Sequence, residues 1–191
     1  MARTRTAEQP SITFELFLDL PDFENYELVE GRLVQRKHVG VYANFVAAQI
    51  AAVLSSYCRG HRAGAVFASK ALYRCFGFPH TACTAALTFV RTGRLTEHHI
   101  RALFFTLVPD LVVELTSPDD LAYDLEAKLS KYQRVGVPVV WVVHPGTRRV
   151  TIRRADRKCV ELNENGEIKD EPMLPGFSCK VRDFFPPFPA A

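Results

Sequence analysis

Several features that define common protein classes are missing from this sequence. It has no glycine-rich phosphate loop and no G-x-S-x-G motif, so P-loop nucleotide hydrolysis and serine-hydrolase chemistry are not supported. It has no C-x-x-C pair, and its cysteines are odd in number and widely spaced, which argues against a thiolate zinc site and a disulfide framework. We therefore expect reduced, inert thiols at Cys58, Cys75, Cys83, Cys159 and Cys179.

The chain also lacks a strong excess of one charge and a long apolar run. Lysine and arginine number 24 against 21 aspartates and glutamates, a net charge of +3, which is too small for a protein that coats nucleic acid through charge alone. No apolar stretch approaches the roughly 18 to 20 residues of a membrane span, and no apolar segment follows the charged N-terminus. We expect a cytoplasmic protein without a membrane segment, in which any DNA contact is local.

The length and composition predict one globular domain. The 191 residues are 48% apolar and 24% charged, which suffices for one core but hardly for two. We predict an N-terminal extension over residues 1–19 and a single domain over residues 20–186.

The N-terminal half predicts a hairpin, a helix and two strands. Residues 26–35 form two short strand-like segments around Glu30-Gly31, where glycine supplies the positive φ of a tight turn. From Tyr42 onwards, apolar residues recur at helical spacing as far as Gly60, which is placed to end the helix. Residues 65–76 and 85–90 are rich in β-formers, so each is predicted to be a strand.

The C-terminal half predicts a strand, a crossover helix and a second strand. Residues 111–115 are a near-continuous apolar run, typical of a strand that is covered on both faces. A helix is predicted over residues 117–135, closed by Gly136, and residues 138–143 form the next buried strand. The order strand, helix, strand is that of a right-handed βαβ crossover. Residues 149–162 are predicted to form a second hairpin. The fold class is therefore α/β.

Two charged residues interrupt segments that are otherwise apolar. Glu114 lies in the middle of the 111–115 run, on the same strand face as Asp110. On the following helix, Lys128 falls near the centre of the apolar arc, and Asp124 lies at its edge, one turn earlier. A crossover helix packs this arc on the sheet, so Lys128 is predicted to point towards Glu114. The two side chains are expected to pair, because burying an unpaired charge costs several kcal/mol.

This pair has a structural and a catalytic interpretation. Either it is an ion pair, with the lysine stem lying on apolar surface, or the carboxylate holds a divalent metal while the ammonium orients water for phosphodiester hydrolysis. Hard oxygen ligands beside a cation suit Mg²⁺ or Mn²⁺ rather than zinc. The spacing alone leaves both interpretations open.

A cluster of basic residues near the C-terminal hairpin has a similar ambiguity. It could contact nucleic-acid phosphates, or it could protect the edge of a sheet from pairing with another chain. The cluster comprises Arg148, Arg149, Arg153, Arg154, Arg157 and Lys158.

Several motifs, taken in order, resemble one known family. They are Tyr26-Glu-Leu-Val-Glu-Gly-Arg-Leu33, Pro109-Asp-Leu-Val-Val-Glu-Leu-Thr-Ser-Pro118, Val140-Trp-Val-Val-His-Pro145 and Leu174-Pro-Gly-Phe177, together with Asp124, Lys128, Tyr132 and Gly136. Over residues 20–186, this order and spacing resemble the Uma-two family of restriction endonucleases. The resemblance implies a PD-(D/E)XK nuclease-like fold, a mixed β-sheet flanked by helices and carrying N-terminal and C-terminal hairpins. It also implies cleavage of DNA with Mg²⁺ or Mn²⁺ as the cofactor.

The resemblance assigns site residues one by one. The family's glutamate falls on Glu114, and its lysine, which lies on the following helix, falls on Lys128. The lysine that the wider superfamily places two residues after the glutamate is Thr116 in this chain. Glu27 and His38 match residues that are common in the family. The predicted catalytic residues are Glu114, Lys128, Glu27 and Asp124, with Asp124 orienting the lysine.

One position departs from the family in a way that bears on activity. Members usually carry Pro-Asp before an apolar run, and alignment on Phe89-Val90 places Ala85-Ala86 there, so the expected metal-binding aspartate is Ala86. The aspartate that usually follows the Trp-Val-Val run is His144. Asp110 precedes Glu114 by four residues, roughly 13 Å along a strand, which is too far to replace the missing ligand.

Two functional hypotheses follow. In the first, the chain is a Mg²⁺-dependent endonuclease that is weakened by the loss of a metal ligand. In the second, it is a degenerate homologue that keeps the nuclease fold for binding DNA or a protein partner. A homodimer is expected for the endonuclease, because cleavage of a duplex needs two active sites or two visits by one.

Overall fold

A six-stranded mixed sheet lies at the centre of the computed structural model, which describes residues 11–36, 39–68, 71–77, 79–117, 122–185 and 187. The helices are α1 (Phe14–Leu18), α2 (Val41–His61), α3 (Glu97–Arg101) and α4 (Ala122–Arg134), with short 3₁₀ helices at Phe23–Asn25 and Val181–Phe184. The strands are β1 (Tyr26–Val29), β2 (Arg32–Gln35), β3 (Gly64–Ala68), β4 (Leu72–Tyr73), β5 (Cys83–Thr84), β6 (Leu87–Arg91), β7 (Phe104–Phe105), β8 (Leu111–Leu115), β9 (Val139–His144), β10 (Arg149–Arg154), β11 (Cys159–Leu162), β12 (Glu167–Lys169) and β13 (Ser178–Lys180).

The central sheet has the strand order β11-β10-β9-β8-β6-β3. β8 and β9 are parallel, with Leu111 opposite Val139 and Glu114 opposite Val142. The other neighbouring pairs in this sheet are antiparallel. Because α4 connects the two parallel strands, the predicted βαβ crossover is confirmed, as are the α/β class and the β10–β11 hairpin.

The C-terminal end of α4 matches the prediction. The helix ends at Arg134, and Gly136 follows with a φ of 83°. The Gly136 N–H donates to Gln133 O at 3.1 Å, which satisfies one of the last helical carbonyls. The predicted helix begins at Ser117, which is described and is not helical, while residues 118–121 lie outside the described residues.

Two apolar layers cover the sheet. On one face, Leu111 and Val113 of β8 pack in the layer that contains the inner side of α2. On the other face, Val112 packs with Leu129 and Tyr132 of α4. Because side chains alternate along a strand, the glutamate of β8 lies on the α4 face. The five cysteines all carry free thiols, as expected.

The N-terminal hairpin forms as predicted. β1 and β2 are antiparallel, and the turn residues Glu30 and Gly31 have φ values of 51° and 77°. A Cβ at Gly31 would lie 1.9 Å from Ser11 Oγ, so this position needs glycine for space as well as for its backbone conformation. Backbone hydrogen bonds of 2.8 Å between Leu28 and Ala82 fasten the hairpin to the segment before β5.

α2 ends one residue later than predicted, and the predicted C-cap Gly60 is still helical. Arg62 follows the helix in the left-handed conformation (φ 50°, ψ 36°), and its N–H donates to Cys58 O. An arginine therefore takes the position at which glycine is usual, because its backbone hydrogen bond compensates part of the strain.

By length and composition alone, α2 could cross a membrane, contrary to the expectation that no segment approaches that length. Its inner face packs in the core through Val46, Ile50 and Leu54. A core helix satisfies the same criterion of length and apolarity, and the inner face of α2 is part of the core.

The long strand predicted over residues 65–76 is wrong. β3 ends at Ala68, and β4 belongs to a separate three-stranded sheet of order β5-β4-β7. Leu72 of β4 packs in the N-terminal apolar cluster with Phe14 and Leu28, whereas Tyr73 packs in the layer on the α4 face of the central sheet. The strand predicted over residues 85–90 is present as β6, but it begins only at Leu87.

Asp110, which precedes β8, anchors the connection to β6. Its carboxylate is fully buried and accepts hydrogen bonds from the backbone N–H and the Nε of Arg91, both at 2.9 Å. Arg94 Nη1 lies 2.8 Å from the same carboxylate. Asp110 is thereby committed to structure at the end of β8 opposite to Glu114.

We expect Asp110→Ala to destabilise the fold by about 2–4 kcal/mol, because the Arg91 N–H loses its acceptor and two guanidinium groups lose a buried counter-ion. Urea unfolding followed by circular dichroism measures the effect. Glu97→Ala, which removes an exposed ion pair with Arg101, is the control and should leave the midpoint nearly unchanged. Equal midpoints for the two variants would contradict this role of Asp110.

Candidate active site

Three elements bring two carboxylates and an ammonium together on the α4 face of the sheet. Glu27 comes from β1, Glu114 from β8 and Lys128 from α4. Lys128 Nζ lies 3.7 Å from Glu114 Oε1 and 3.9 Å from Glu27 Oε1. The predicted approach of Lys128 to Glu114 is confirmed, and we call these three residues the charged cluster.

Glu27 is held by the segment that precedes β6. Its Oε1 accepts hydrogen bonds from the Thr84 backbone N–H at 2.9 Å and from Thr84 Oγ1 at 2.8 Å. The register of the hairpin on Ala82 sets this contact, because it places β1 alongside β5. The sequence interpretation missed Thr84, since a contact across 57 residues leaves no local signal.

Glu114 is held by the helix that follows it. The Glu114 residue is 7% exposed, and the Tyr132 hydroxyl donates a hydrogen bond to Glu114 Oε1. Burial raises the pKa of Glu114, while Lys128 and the Tyr132 hydroxyl act in the opposite direction. Burial and the neighbouring Glu114 carboxylate raise the pKa of Tyr132 well above its usual range, so the hydroxyl remains a donor.

Lys128 reaches the cluster from the surface of α4, with about a third of its side chain exposed to solvent (32%). Its position is that of a long side chain whose stem lies against the protein while the ammonium stays accessible to a ligand. Asp124 lies one turn earlier on α4 and is exposed. Its role in orienting Lys128 stays a prediction.

Ala86 stands directly before β6 and two residues after Thr84, on the segment that holds Glu27. It offers no side-chain oxygen, whereas the family resemblance places a metal-binding aspartate there. Asp110 cannot replace that ligand, because its carboxylate pairs with Arg91 and Arg94. The expectation that Asp110 does not rescue the site is therefore consistent with its contacts.

Thr116 directly follows β8, and His144 is the last residue of β9. Both lie on the same side of the sheet as Glu114. Thr116 Oγ1 lies 2.9 Å from His144 Nδ1, and His144 Nε2 lies 3.3 Å from Thr151 Oγ1. Burial lowers the pKa of His144, so the imidazole is neutral at neutral pH and bridges the two hydroxyls. His144 thereby joins three neighbouring strands. His38 lies outside the described residues.

The donor set fits a weakly held hard cation. Within the described residues, no three His, Cys, Asp or Glu side chains cluster with the geometry of a metal site. Glu27 and Glu114 nevertheless present carboxylate oxygens to one point, and Mg²⁺ is commonly bound by one or two carboxylates, with water and substrate phosphate completing its shell. Metal binding at this cluster would therefore depend on the substrate.

The basic cluster near the C-terminal hairpin is largely neutralised by ion pairs. These pairs favour the structural interpretation, because a guanidinium held by a carboxylate is less available to a phosphate. The pairs are Arg148–Glu164, Arg149–Glu161, Arg153–Glu126, Arg154–Glu171 and Lys158–Asp156.

The raised pKa of Glu114 predicts the effect of removing its charge. A carboxyl with a raised pKa in the folded state stabilises the fold below the unfolded-state pKa, and that contribution is lost as pH rises through the folded-state pKa. At pH 7 the ionised group therefore opposes folding. We expect Glu114→Gln to raise the free energy of unfolding at pH 7 by about 1 kcal/mol, since the amide oxygen can still accept from Tyr132.

Urea unfolding at pH 7 and at mildly acidic pH tests this expectation. The stabilisation should shrink in acid, where Glu114 itself becomes protonated. Glu161→Gln on the exposed β11 strand is the matched control and should show neither effect. Destabilisation by Glu114→Gln at pH 7 would mean that its attraction to Lys128 outweighs its burial.

Comparison with known proteins agrees with this architecture. The profile of the Uma2 family, described as “Putative restriction endonuclease”, matches residues 14–182. The crystal structure of a “putative nuclease belonging to DUF820” from Anabaena variabilis superposes with a TM-score of 0.77 at 18% sequence identity, over 91% of this chain and 97% of that chain. At this identity the likeness concerns the fold alone. No curated protein sequence matches the chain significantly. Because the family profile spans most of the sequence, this chain belongs to the Uma2 family and has a nuclease-like fold.

Proposed function

We propose that this chain is a Mg²⁺- or Mn²⁺-dependent endonuclease that hydrolyses DNA phosphodiester bonds, with its rate reduced by the alanine at position 86. The observation that carries the proposal is the convergence of Glu27, Glu114 and Lys128 from three separate elements. Two carboxylates and an ammonium at one point are the groups that metal-assisted phosphodiester hydrolysis requires.

Each residue of the charged cluster has a role that its contacts support. Glu114 and Glu27 would hold the metal, which supplies charge stabilisation and acidifies a bound water. Tyr132 and Thr84 keep the two carboxylates in place through hydrogen bonds. The Lys128 ammonium is close enough to both carboxylates to stabilise negative charge that develops on a phosphate beside them.

The proposal includes a homodimeric enzyme. One charged cluster can cut one strand at a time, so a double-strand break needs two clusters acting together or two successive visits. A second copy of the chain supplies the second cluster with the symmetry that a palindromic duplex site presents.

A second candidate function is a catalytically inactive protein that binds DNA or a partner. It is favoured by Ala86 together with the internal pairing of the cluster. Lys128, Thr84 and Tyr132 already provide both carboxylates with partners in the absence of a metal.

Nicking of supercoiled plasmid in Mg²⁺ or Mn²⁺ separates these two candidates. We expect slow nicking by the unmodified protein, and an increase of about 100-fold in Ala86→Asp, because the variant regains a carboxylate where the family resemblance expects a metal ligand. Ala86→Asn is the matched control, since its amide has the same size without the charge, and it should not show the increase.

The roles within the cluster are tested in the Ala86→Asp background. Adding Lys128→Ala should abolish the gain, because the ammonium is needed for charge stabilisation. Activity of Ala86→Asp with a silent unmodified protein would support the inactive candidate. Equal activity of the variants with and without Lys128 would contradict the role assigned to this lysine.

A further inference from the structure

A cavity next to the charged cluster has no role in the proposed chemistry. Its volume is about 260 Å³. The hairpin turn, the loop before β5 and the C-terminal half of α4 form its walls. We call it the Lys131 cavity. The polar residues that line it are Ser11, Glu30, His80, Thr81, Lys131 and Arg134.

Lys131 is the unusual member of this set. Its residue is only 9% exposed, which is rare for a lysine. Across the described portion of the chain, Lys131 has neither an ion pair with a carboxylate nor a hydrogen bond. The Lys131 ammonium is not among the buried polar atoms that lack a partner, so it reaches the solvent of the cavity, where an anion can pair with it.

The other lining residues suit a phosphate group. Arg134 adds a guanidinium at the exposed rim of the cavity. His80 Nδ1 lies 3.1 Å from Ser11 Oγ and 3.2 Å from Ile12 O, which fixes the imidazole ring at the wall. Against these groups, Glu30 contributes the only carboxylate among the lining residues, so one positive charge remains in excess.

The Lys131 cavity adjoins the charged cluster along α4. Lys128 and Lys131 both lower the pKa of Cys83, which burial raises, and Glu27 and Glu114 raise it. The Cys83 thiol is therefore within electrostatic reach of both sites.

The spacing along α4 is compatible with consecutive phosphates of one strand. Lys131 and Arg134 are displaced from Lys128 by about 4.5 and 9 Å along the helix axis. Successive phosphates of one DNA strand are about 3.4 Å apart along the duplex axis. A strand that runs along α4 would therefore present its next phosphates to Lys131 and Arg134.

We propose that the Lys131 cavity binds a backbone phosphate of a DNA strand whose neighbouring phosphate lies at Glu114 and Lys128. This proposal rests on the proposed function, since it identifies DNA as the ligand of the adjacent site. The volume of about 260 Å³ lies near the lower end of the roughly 300–1,000 Å³ typical of small-molecule pockets, and it suits a phosphate with part of its sugar.

Binding of a short fluorescein-labelled DNA duplex, followed by fluorescence anisotropy in the presence of EDTA, tests the proposal without cleavage. We expect Lys131→Met to weaken binding about tenfold near physiological salt, and to reduce the slope of log K against log salt by about 0.9, the value for one lost phosphate contact. Methionine keeps the apolar stem, so the fold is preserved, and thermal unfolding verifies this. Arg134→Gln should act in the same direction.

Two further variants make the assignment specific to the cavity. Lys180→Met removes one exposed cation from β13, away from the cavity, and should leave the salt slope unchanged. Glu30→Gln removes the carboxylate from the cavity wall and should strengthen DNA binding. The proposal is overturned if Lys131→Met binds DNA with the affinity and salt slope of the unmodified protein.

Titration with inorganic phosphate, followed by ¹H–¹⁵N spectra, distinguishes a DNA phosphate from a free one. If the cavity binds phosphate, inorganic phosphate shifts the amide signals of Gly77 and Thr81, and Lys131→Met abolishes these shifts. Such shifts in a protein that binds no duplex DNA would overturn both the DNA assignment and the proposed function. DNA binding that depends on Lys131 in a protein that never nicks plasmid would support the cavity assignment and overturn the proposed cleavage.

Discussion

Glu114 lies on a strand that is covered on both faces, and its charge must therefore be compensated from inside the protein. The parallel pairing of β8 with β9 requires a crossover helix, and that helix supplies Lys128 and Tyr132 to the carboxylate. The N-terminal hairpin adds Glu27, which balances the other side of the ammonium. One buried charge thus ties the central sheet, α4 and the hairpin into a single arrangement.

This arrangement explains how the charged cluster persists beside Ala86. Loss of Lys128 would leave two buried carboxylates without a cation, so this change alone is costly to the fold. Lys128 therefore contributes to stability whether or not the cluster hydrolyses DNA. Ala86 takes part in none of these contacts, so an alanine at this position leaves the hydrogen bonds between Thr84 and Glu27 in place.

Positive charge is distributed unevenly over the molecule. Around the C-terminal hairpin, arginines are matched with carboxylates and serve the sheet edge. Along α4, Lys128 is matched with Glu27 and Glu114, whereas Lys131 lines a cavity in which the only carboxylate is that of Glu30. The net charge of only +3 means that the proposed DNA contact relies on such local positive charge.

The sequence by itself determined the α/β class, the βαβ crossover, both hairpins and the pairing of Glu114 with Lys128, because periodicity and a charge in an apolar run are local signals. It did not determine the break between β3 and β4, the end of α2 at Arg62, or the contacts of Thr84 and Tyr132. The burial of Lys131 was also hidden, since its position on α4 is unremarkable until the loop before β5 and the hairpin turn pack around it. Those features depend on segments that are distant in the chain, and only the tertiary structure decides which distant segments meet.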